Sequence, residues 1–357
     1  MTIHIQAGAL TDYCAEVFER VGCRPGEARG IAASLVDANL TGHDSHGVIR
    51  VPRYVQAVRN GEVIPNQTIG RLVDTPVIAV IDGRFGFGQT VAPLAVDVGI
   101  EKAKAMGLSA ISLRNAGHVG RVGEWAERAA AAGVISIHFV NAAGSVLVAP
   151  FGGLERRLST APFCVGIPRE GAPPVVLDFA TSLVAEGKVF AASRGGKPLP
   201  ANVLIGPDGK ISGDPAVLYG PLTPENPRDP AGGTGAIRAF GDHKGAGLAL
   251  ICELLGGSLT GNGATELKRK FANGMFSLYI DPAQVDPAHV LDADMTRYLD
   301  WYREARPIEG EEVLTPGEPE RRARASRTIS GVPLPDETWA AIQATAKSVG
   351  ATRGAQA

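Results

Sequence analysis

Residues 108–144 contain Leu108-Ser-Ala-Ile-Ser-Leu113, Gly117-His118-Val-Gly120-Arg121-Val-Gly123 and Val134-Ile-Ser-Ile-His-Phe-Val140. The first and third segments are apolar and partly β-branched, which favours strands, whereas the glycine-rich segment is typical of a turn. The residues from Glu124 to Ala132, between the turn and the last strand, have a helix-forming composition. This order of strand, turn, helix and strand predicts a βαβ unit and an α/β fold.

The glycine spacing in the turn differs from that of a Rossmann dinucleotide site. A Rossmann fingerprint has G-x-G-x-x-G and an acidic residue near the end of the second strand. Here the spacing is G-x-x-G-x-x-G, and the second strand ends in Asn141-Ala-Ala-Gly144. We therefore expect a non-Rossmann site. Glycines before a helix can still present backbone N–H groups to an anion, and His118 lies among them as a candidate functional residue.

Length and composition indicate a globular protein of two or more domains that acts on small molecules. The 357 residues carry a net charge of −2, which provides no general attraction for nucleic acid. No apolar run approaches the ~20 residues that span a bilayer, so we expect no membrane partner. The N-terminus lacks a secretory pattern, and the four cysteines form no C-x-x-C pair, which together predict a cytoplasmic location.

Three compositional zones follow one another along the chain. Residues from about 11 to 61 have helical composition, with one helix opened by Pro25 and another running from about His46 to Asn60. Residues from about 69 to 281 alternate between strand and helix patterns, which predicts a mixed sheet. Within this zone, residues 206–241 are rich in Pro, Gly and Asp, which predicts a long loop. The last zone is helical again.

The segment His43-Asp44-Ser45-His46-Gly47-Val-Ile-Arg50-Val-Pro-Arg53-Tyr54 concentrates reactive side chains. If Asp44 or Ser45 caps a helix, then His46, Arg50 and Tyr54 lie along one face of it. An arginine can hold a carboxylate through two hydrogen bonds, and a histidine can transfer a proton near neutral pH. The segment therefore suits a small acid, with a solvated helix face as the alternative. No H-E-x-x-H or Cys/His set accompanies it, so no metal is expected.

Two further segments have the composition of binding loops. Leu177-Asp178-Phe-Ala-Thr-Ser182 follows an apolar strand, at the strand end where α/β proteins collect binding residues. In Gly241-Asp242-His243-Lys244-Gly245, a lysine at a glycine-rich helix start can contact a phosphate. For the first segment, the alternative is that it caps the helix that follows. For the second segment, the alternative is an ordinary helix start.

The order of these motifs resembles one known family. The motifs are Asp44-Ser45-His46-Gly47, Gly86-Phe-Gly88-Gln89, Asn115-Ala-Gly117-His118-Val-Gly120-Arg121-Val-Gly123, Ala149-Pro150-Phe-Gly152-Gly153, Leu177-Asp178-Phe-Ala-Thr-Ser182, His243-Lys244-Gly245 and Pro316-Gly317-Glu318. Together they are similar to the malate/L-lactate dehydrogenase superfamily, whose members are nicotinamide-dependent 2-oxoacid reductases unrelated to Rossmann-type lactate dehydrogenase. The resemblance covers nearly the whole chain.

The resemblance implies a homodimer whose subunit has two domains. An α-rich domain would combine residues 1–70 with residues 290–357, and residues 71–289 would form an α/β domain with a non-Rossmann nicotinamide site. The implied activity is the interconversion of 2-oxo acids and 2-hydroxy acids with NAD or NADP. A cyclic imine reductase or a ureidoglycolate dehydrogenase on the same scaffold is the alternative enzyme, and a non-catalytic metabolite-binding protein is the alternative of another class.

The resemblance also implies roles for individual residues. The candidate catalytic residues are His46, Ser45 and His118. The candidate substrate-binding residues are Arg50, Tyr54 and Thr160. The candidate cofactor-binding residues are His46, Gly120, Arg121, Val122, Val176, Leu177, Asp178, Phe179, Ala180, His243, Lys244, Asn273, Pro316, Gly317 and Glu318.

The chain departs from the family pattern at two places. The family often has Gly-Thr-Asn-Pro where Ser159-Thr160-Ala161-Pro162 stands, so the contact made by the Asn is missing. Members that prefer NAD carry an Asp before the Pro-Phe-Gly-Gly segment, and Gly144-Ser145-Val146 contains none. Without an acidic residue to repel a 2′-phosphate, we expect NADPH to be accepted. Arg321 and Arg322 are candidates to bind that phosphate, with a solvated helix face as the alternative.

Overall fold

The computed structural model describes residues 2–193, 197–223 and 229–354. Helices and strands alternate along it, which confirms the predicted mixed α/β class. The helices are α1 Ala7–Arg20, α2 Pro25–Leu40, α3 Val51–Arg59, α4 Gly88–Met106, α5 Val122–Ala131, α6 Glu186–Ser193, α7 Ala216–Tyr219, α8 Asp242–Cys252, α9 Pro282–Val285, α10 Leu291–Arg303, α11 Glu318–Ser330 and α12 Asp336–Ser348. A π-helical segment, Glu253–Leu259, continues α8.

The strands form three sheets, and the largest of them mixes parallel and antiparallel pairs. The strands are β1 Thr2–Ile5, β2 Gly70–Asp74, β3 Ile78–Asp82, β4 Leu108–Ala116, β5 Ile135–Ala143, β6 Val148–Ala149, β7 Pro162–Ile167, β8 Val175–Ala180, β9 Leu204–Ile205, β10 Ile211–Ser212, β11 Ala236–Arg238, β12 Ala272–Ile280 and β13 Val332–Pro335. The largest sheet has the order β2-β3-β4-β12-β5-β7-β8. In it β2 is antiparallel to β3, and β3 is parallel to β4.

The predicted βαβ unit is present as β4, α5 and β5. Helix α5 buries Val122, Trp125, Ala126 and Ala129, which recur at helical spacing and therefore lie on one face. Strand β12 lies between β4 and β5 in the sheet. The two strands of the unit are therefore not neighbours, and the sheet lacks the strand order of a Rossmann fold.

The chain divides into two compact units. Unit 1 contains the chain up to His138, Cys164–Asp178 and the chain from Ser277 onward, and unit 2 contains Phe139–Phe163 and Phe179–Phe276. These boundaries fall elsewhere than the predicted boundaries near residues 70 and 290. The reason is that α2 contacts both α4 and α11, and α4 contacts β4. The terminal helices therefore belong to the same unit as the first strands of the large sheet.

Both chain ends contribute to one hydrophobic core in unit 1. From the N-terminal side, Leu10, Cys14 and Phe18 are buried at helical spacing in α1. From the C-terminal side, Leu334 of β13 and Ile342 of α12 are buried in the same cluster. Strand β1 also pairs with β13 in antiparallel orientation. Residues more than 300 positions apart in sequence are thus held together by both packing and backbone hydrogen bonds.

Two local predictions were wrong. The helix expected from His46 to Asn60 is replaced by two 3₁₀ turns, Asp44–His46 and Val48–Arg50, followed by α3. Gly47 between the turns has an extended backbone, and the side chain of Asn39 accepts a hydrogen bond from the backbone N–H of Val48 at 2.8 Å, which stabilises the break.

The span 206–241, expected to be one long loop, contains β10, α7 and β11 within its described residues. Strand β11 pairs with both β9 and β6 in a four-stranded sheet of unit 2. The buried side chains of Leu204, Leu218 and Ile237 lie in one hydrophobic cluster of this unit. Long-range pairing therefore supplies the order that the local composition does not predict. In the part of the chain that the structure describes, every helix is too short or too polar to cross a bilayer.

Candidate active site

His46 and His118 lie against each other in unit 1. His46 ends the first 3₁₀ turn, and His118 lies in the loop between β4 and α5. Their rings are stacked, with centroids 5.5 Å apart and planes inclined by 20°. Both side chains are mostly buried but keep a fraction of their surface exposed, and Ser45 Oγ lies 3.0 Å from Nδ1 of His46. Two histidines predicted from separate motifs are therefore neighbours at an accessible position.

Tyr54 and Gln89 form a buried hydrogen-bonded chain that ends at His118. The Tyr54 hydroxyl, from α3, lies 2.6 Å from Nδ1 of His118. The side-chain amide of Gln89, in the first turn of α4, donates to the same hydroxyl at 2.9 Å. Tyr54 was predicted to bind substrate, but in this structure its buried hydroxyl is bonded to His118 and Gln89.

Arg50 dominates the electrostatics of this cluster. Its Nε donates a hydrogen bond to the backbone carbonyl of Ser45 at 2.6 Å. Burial and the Arg50 charge, with smaller effects of His43 and Arg121, lower the pKa of His46 to about 3. Burial and the charge of Arg50 also hold the pKa of His118 well below its usual value. Both imidazoles are therefore neutral at neutral pH in the free protein.

Three segments predicted to bind the cofactor meet in unit 1. Gly120 has φ +73°, which lets the turn before α5 bend sharply. The carboxylate of Asp178, within β8, accepts a hydrogen bond from the backbone N–H of Gly123 at 2.7 Å. The backbone N–H of Val176 donates to the Pro316 carbonyl at 3.4 Å, and Gly317 lies beside Val176. The residues adjoining these contacts are Arg121, Val122, Leu177 and Glu318.

The guanidinium of Arg121 is buried and bound by carboxylates. It makes two hydrogen bonds to Glu127, at 2.9 and 2.7 Å, and one to Asp37 at 3.2 Å. Burial by itself lowers the pKa of Arg121, but the carboxylates of Glu127 and Asp37 raise it by a larger amount, so the net shift of the pKa is upward. The side chain therefore stabilises the turn before α5. A contact between Arg121 and the cofactor stays a prediction.

The remaining predicted residues lie in unit 2. Asn273 donates from its amide to the Asn141 carbonyl at 2.7 Å. Thr160, partly exposed, follows Ser159, whose backbone N–H and hydroxyl both donate to the buried carboxylate of Glu253 at 2.9 and 2.6 Å. The ring of Phe179 packs against Phe163 and Phe240, and Ala180 is the next residue of the same strand.

The start of α8 has the chemistry that a dinucleotide phosphate requires. Within the described residues, its N-terminal N–H groups have no capping side chain, and the adjacent His243 and Lys244 are exposed. A cavity of about 220 Å³ adjoins it, lined by residues 149–154 and by Arg238 and Asp242, among others. The N-terminus of a helix beside a lysine suits a phosphate. The start of α8 therefore fits the phosphate part of a nicotinamide dinucleotide, and contact with the cofactor there stays a prediction.

Comparison with known proteins identifies the family. The sequence profile of the malate/L-lactate dehydrogenase family matches residues 5–343. The chain belongs to the malate/L-lactate dehydrogenase family. This confirms the resemblance inferred from the ordered motifs, and the protein is therefore an oxidoreductase.

Individual relatives of this dehydrogenase differ in the compound that they are named for. Hydroxycarboxylate dehydrogenase B of Escherichia coli strain K12 is 36% identical over 350 residues, covering 96% of this chain and 94% of the relative. Delta(1)-pyrroline-2-carboxylate reductase of Ancylobacter novellus is 30% identical over 343 residues, covering 93% and 94%. The solved structure of malate dehydrogenase from Pyrococcus horikoshii OT3 superposes with a TM-score of 0.86 at 27% identity, covering 99% and 97%.

Sequence analysis of this dehydrogenase missed Gln89 and Glu124. Gln89 belongs to the quoted Gly86-Phe-Gly88-Gln89 motif, and that motif was the available signal. Glu124 is in the first turn of α5, where an acidic residue is ordinarily attributed to the helix dipole. In the structure it accepts a hydrogen bond from the Ser34 hydroxyl at 2.6 Å, and burial raises its pKa to about 7. No sequence signal indicates that burial.

Proposed function

We propose that this dehydrogenase interconverts 2-oxo acids and 2-hydroxy acids, with NAD or NADP as the redox cofactor. The observation that carries the proposal is the stacked pair of neutral histidines, His46 and His118, beside the cation of Arg50. A 2-hydroxy acid presents a carboxylate next to the carbon that is oxidised. Such a substrate requires a cation and a proton-transferring group close together.

Each side chain has a distinct task in this proposal. Arg50 holds the substrate carboxylate, and Ser45 orients the ring of His46 through Nδ1. The neutral imidazole of one histidine accepts the hydroxyl proton during oxidation and returns it to the carbonyl oxygen during reduction. When bound, a nicotinamide cofactor supplies or accepts the hydride. A carboxylate bound by Arg50 also offsets the positive charge that lowers the histidine pKa values, so proton affinity rises when substrate binds.

The test is a panel of 2-oxo acids and cyclic imines, followed at the nicotinamide absorbance with NADH and with NADPH. We expect reduction of at least one 2-oxo acid. His46→Ala and His118→Ala should then differ: loss of the proton-transferring group should lower the rate ~10²–10⁴-fold, and loss of the other should act mainly on affinity. Equal and mild losses would contradict both assignments, and a panel without turnover would contradict the proposed substrate class.

Cyclic imine reduction is the second candidate. The Ancylobacter novellus relative, named for an imine substrate, is 30% identical and covers 93% of this chain. A cyclic imine carboxylate also offers a carboxylate beside the carbon that accepts hydride, so Arg50 would serve both substrate classes. A kcat/KM for imines above that for every 2-oxo acid in the panel would favour this function.

We propose that NADPH is an acceptable cofactor because no acidic residue stands at the end of β5, in Asn141-Ala-Ala-Gly144. The two arginines considered for the 2′-phosphate have other partners. Arg322 binds the carboxylates of Glu312 and Glu318, and Arg321 donates to a backbone carbonyl. The proposal that NADPH is accepted therefore depends only on the absence of an acidic residue from this segment. An NADH preference above about a hundredfold in kcat/KM, roughly 2.7 kcal/mol, would contradict it.

We also propose a cytoplasmic homodimer. Helix α10 exposes Tyr298, Trp301 and Tyr302, which are 51%, 62% and 42% exposed and lie on one face by their spacing. A second subunit would cover such an aromatic face. The four cysteines, all within the described residues, are buried free thiols, as suits a reducing compartment. Light scattering should give the mass of two chains, and Trp301→Glu should shift it toward one; a monomeric parent protein would contradict the proposal.

A further inference from the structure

We propose that Gln89 and Tyr54 are positioning residues that hold His118 in the tautomer with its proton on Nε2. The chain of contacts runs from the Gln89 amide to the Tyr54 hydroxyl at 2.9 Å and from that hydroxyl to His118 Nδ1 at 2.6 Å. Each contact joins residues from different elements: α4, α3 and the loop before α5.

The number of protons in this series of hydrogen bonds determines which atom donates in each bond. The Gln89 amide nitrogen can only donate, so the Tyr54 oxygen accepts from it. Tyr54 has a single hydroxyl proton, which is then directed to His118. A neutral imidazole that accepts at Nδ1 carries its own proton on Nε2. If the amide were reversed, its oxygen would accept the Tyr54 proton, and Nδ1 of His118 would have to donate instead. The orientation of one amide thus selects the tautomer.

Burial and charge keep Tyr54 and His118, the two titratable residues in this series of hydrogen bonds, neutral. Tyr54 and Gln89 are each only 6% exposed. Burial raises the pKa of Tyr54 to about 12, so its hydroxyl keeps its proton, although the charge of Arg50 opposes the shift. The charged or titratable groups that act on His118 are Arg50, His46 and Arg53, and they disfavour its protonation. Glu124 is the acidic group that acts on Tyr54.

The backbone around these hydrogen-bonded side chains is closely packed, which holds Gln89 and His118 in place. A Cβ at Gly88, immediately before Gln89, would lie 2.2 Å from the His118 carbonyl oxygen. Only a glycine permits this approach between the start of α4 and the histidine loop. The Gln89 amide oxygen is buried and has no hydrogen-bond partner among the described residues. In the orientation that the structure gives, the amide nitrogen faces the Tyr54 hydroxyl.

The consequence for catalysis rests on the proposed function. A neutral His118 with a proton on Nε2 donates a hydrogen bond to the substrate carbonyl oxygen, as a preorganised electrophile. Proton transfer is then left to His46. The tautomer itself does not depend on which substrate is reduced.

The test uses the full-length protein labelled with ¹⁵N-histidine, and the ring nitrogen shifts report the tautomer. His118→Asn assigns the resonances among the seven histidines. We expect the Nε2–H tautomer at His118 in the parent protein. In Gln89→Glu, studied at pH 9 so that the introduced carboxyl group is ionised, the carboxylate accepts the Tyr54 proton, so His118 should change to the Nδ1–H tautomer. Gln56→Glu is the matched control. Gln56 is an exposed residue of α3 whose amide nitrogen donates a hydrogen bond to the side chain of Asn60, so this substitution should leave the His118 tautomer unchanged.

An Nδ1–H tautomer in the parent protein would overturn the inference, whether or not the variants fold. An unchanged tautomer in a folded Gln89→Glu would overturn the role of Gln89. In reduction assays Gln89→Glu and Tyr54→Phe should raise the KM for the best 2-oxo acid about tenfold, with a smaller effect on kcat, because His118 loses its directed hydrogen bond to the substrate. A purely structural defect would not produce this KM effect together with the tautomer change. A parent protein with the expected tautomer but no turnover of any 2-oxo acid would contradict the proposed function alone.

Discussion

A single methyl group at Gly88 should displace the loop that carries His118. In Gly88→Ala, the new Cβ would lie 2.2 Å from the carbonyl oxygen of His118, and 2.5 Å from its carbonyl carbon and from Cα of Val119. Carbon atoms normally pack at ~3.5 Å, so one backbone segment must move by about 1 Å. All three contacts are with backbone atoms, so no change of side-chain rotamer relieves the overlap.

This displacement has two expected effects. Overpacking of a close backbone contact costs about 1–3 kcal/mol of stability. A misplacement of about 1 Å near the reacting groups costs about a hundredfold in rate. The hydrogen bond between Tyr54 and His118, now 2.6 Å, would also lengthen. We therefore expect a lower unfolding temperature together with a kcat/KM reduced about a hundredfold.

The assay compares Gly88→Ala with Gly30→Ala, each by thermal unfolding and by steady-state reduction of the best 2-oxo acid. Gly30 lies inside α2, and a Cβ there meets no described atom within 4 Å. Gly30→Ala should therefore keep full activity and gain about 0.5–1 kcal/mol from helix propensity. Parental activity and stability in Gly88→Ala would show that the histidine loop tolerates the displacement and would refute the reasoning.

Three further predictions concern charge. Arg50→Lys should lower kcat/KM for 2-oxo acids about ten- to a hundredfold, roughly 1.5–3 kcal/mol, with unchanged cofactor affinity, because a point charge replaces a forked donor; an unchanged kcat/KM would remove Arg50 from the site. Binding of oxamate, an unreactive 2-oxo acid mimic, to the cofactor-loaded enzyme should take up protons near pH 6, because burial and the charge of Arg50 hold the pKa of His46 at about 3 and the oxamate carboxylate offsets that charge; equal calorimetric enthalpies in two buffers of different ionisation enthalpy would argue against this. Burial raises the pKa of Glu124 to about 7 from an unfolded value near 4.5, so the folded state loses stability as pH rises through that window. Glu124→Gln should therefore be more stable than the parent at pH 8, by up to about 3 kcal/mol, but not at pH 4; denaturant unfolding showing a difference independent of pH would contradict this origin.

Local sequence was sufficient wherever neighbouring residues set the structure. The β-branched runs of β4 and β5, the glycine turn after β4 and the helical spacing in α5 predicted the βαβ unit, because hydrophobic period and turn chemistry act over a few residues. The spacing of the glycines likewise excluded a Rossmann site. The ordered motifs were specific enough to indicate the family before any contact was known.

Tertiary structure decided the features that join distant parts of the chain. The Tyr54–His118 contact links residues 64 positions apart, and the break at Gly47 depends on a side chain from α2. Arg121, predicted from the sequence to bind a cofactor, has its guanidinium held by Glu127 and Asp37. Hydrogen-bond direction, burial and pKa depend on which groups meet in space and how far water is excluded from them. The sequence therefore determined which side chains are available for catalysis, and packing determined their partners, their charge states and the position of the His118 proton.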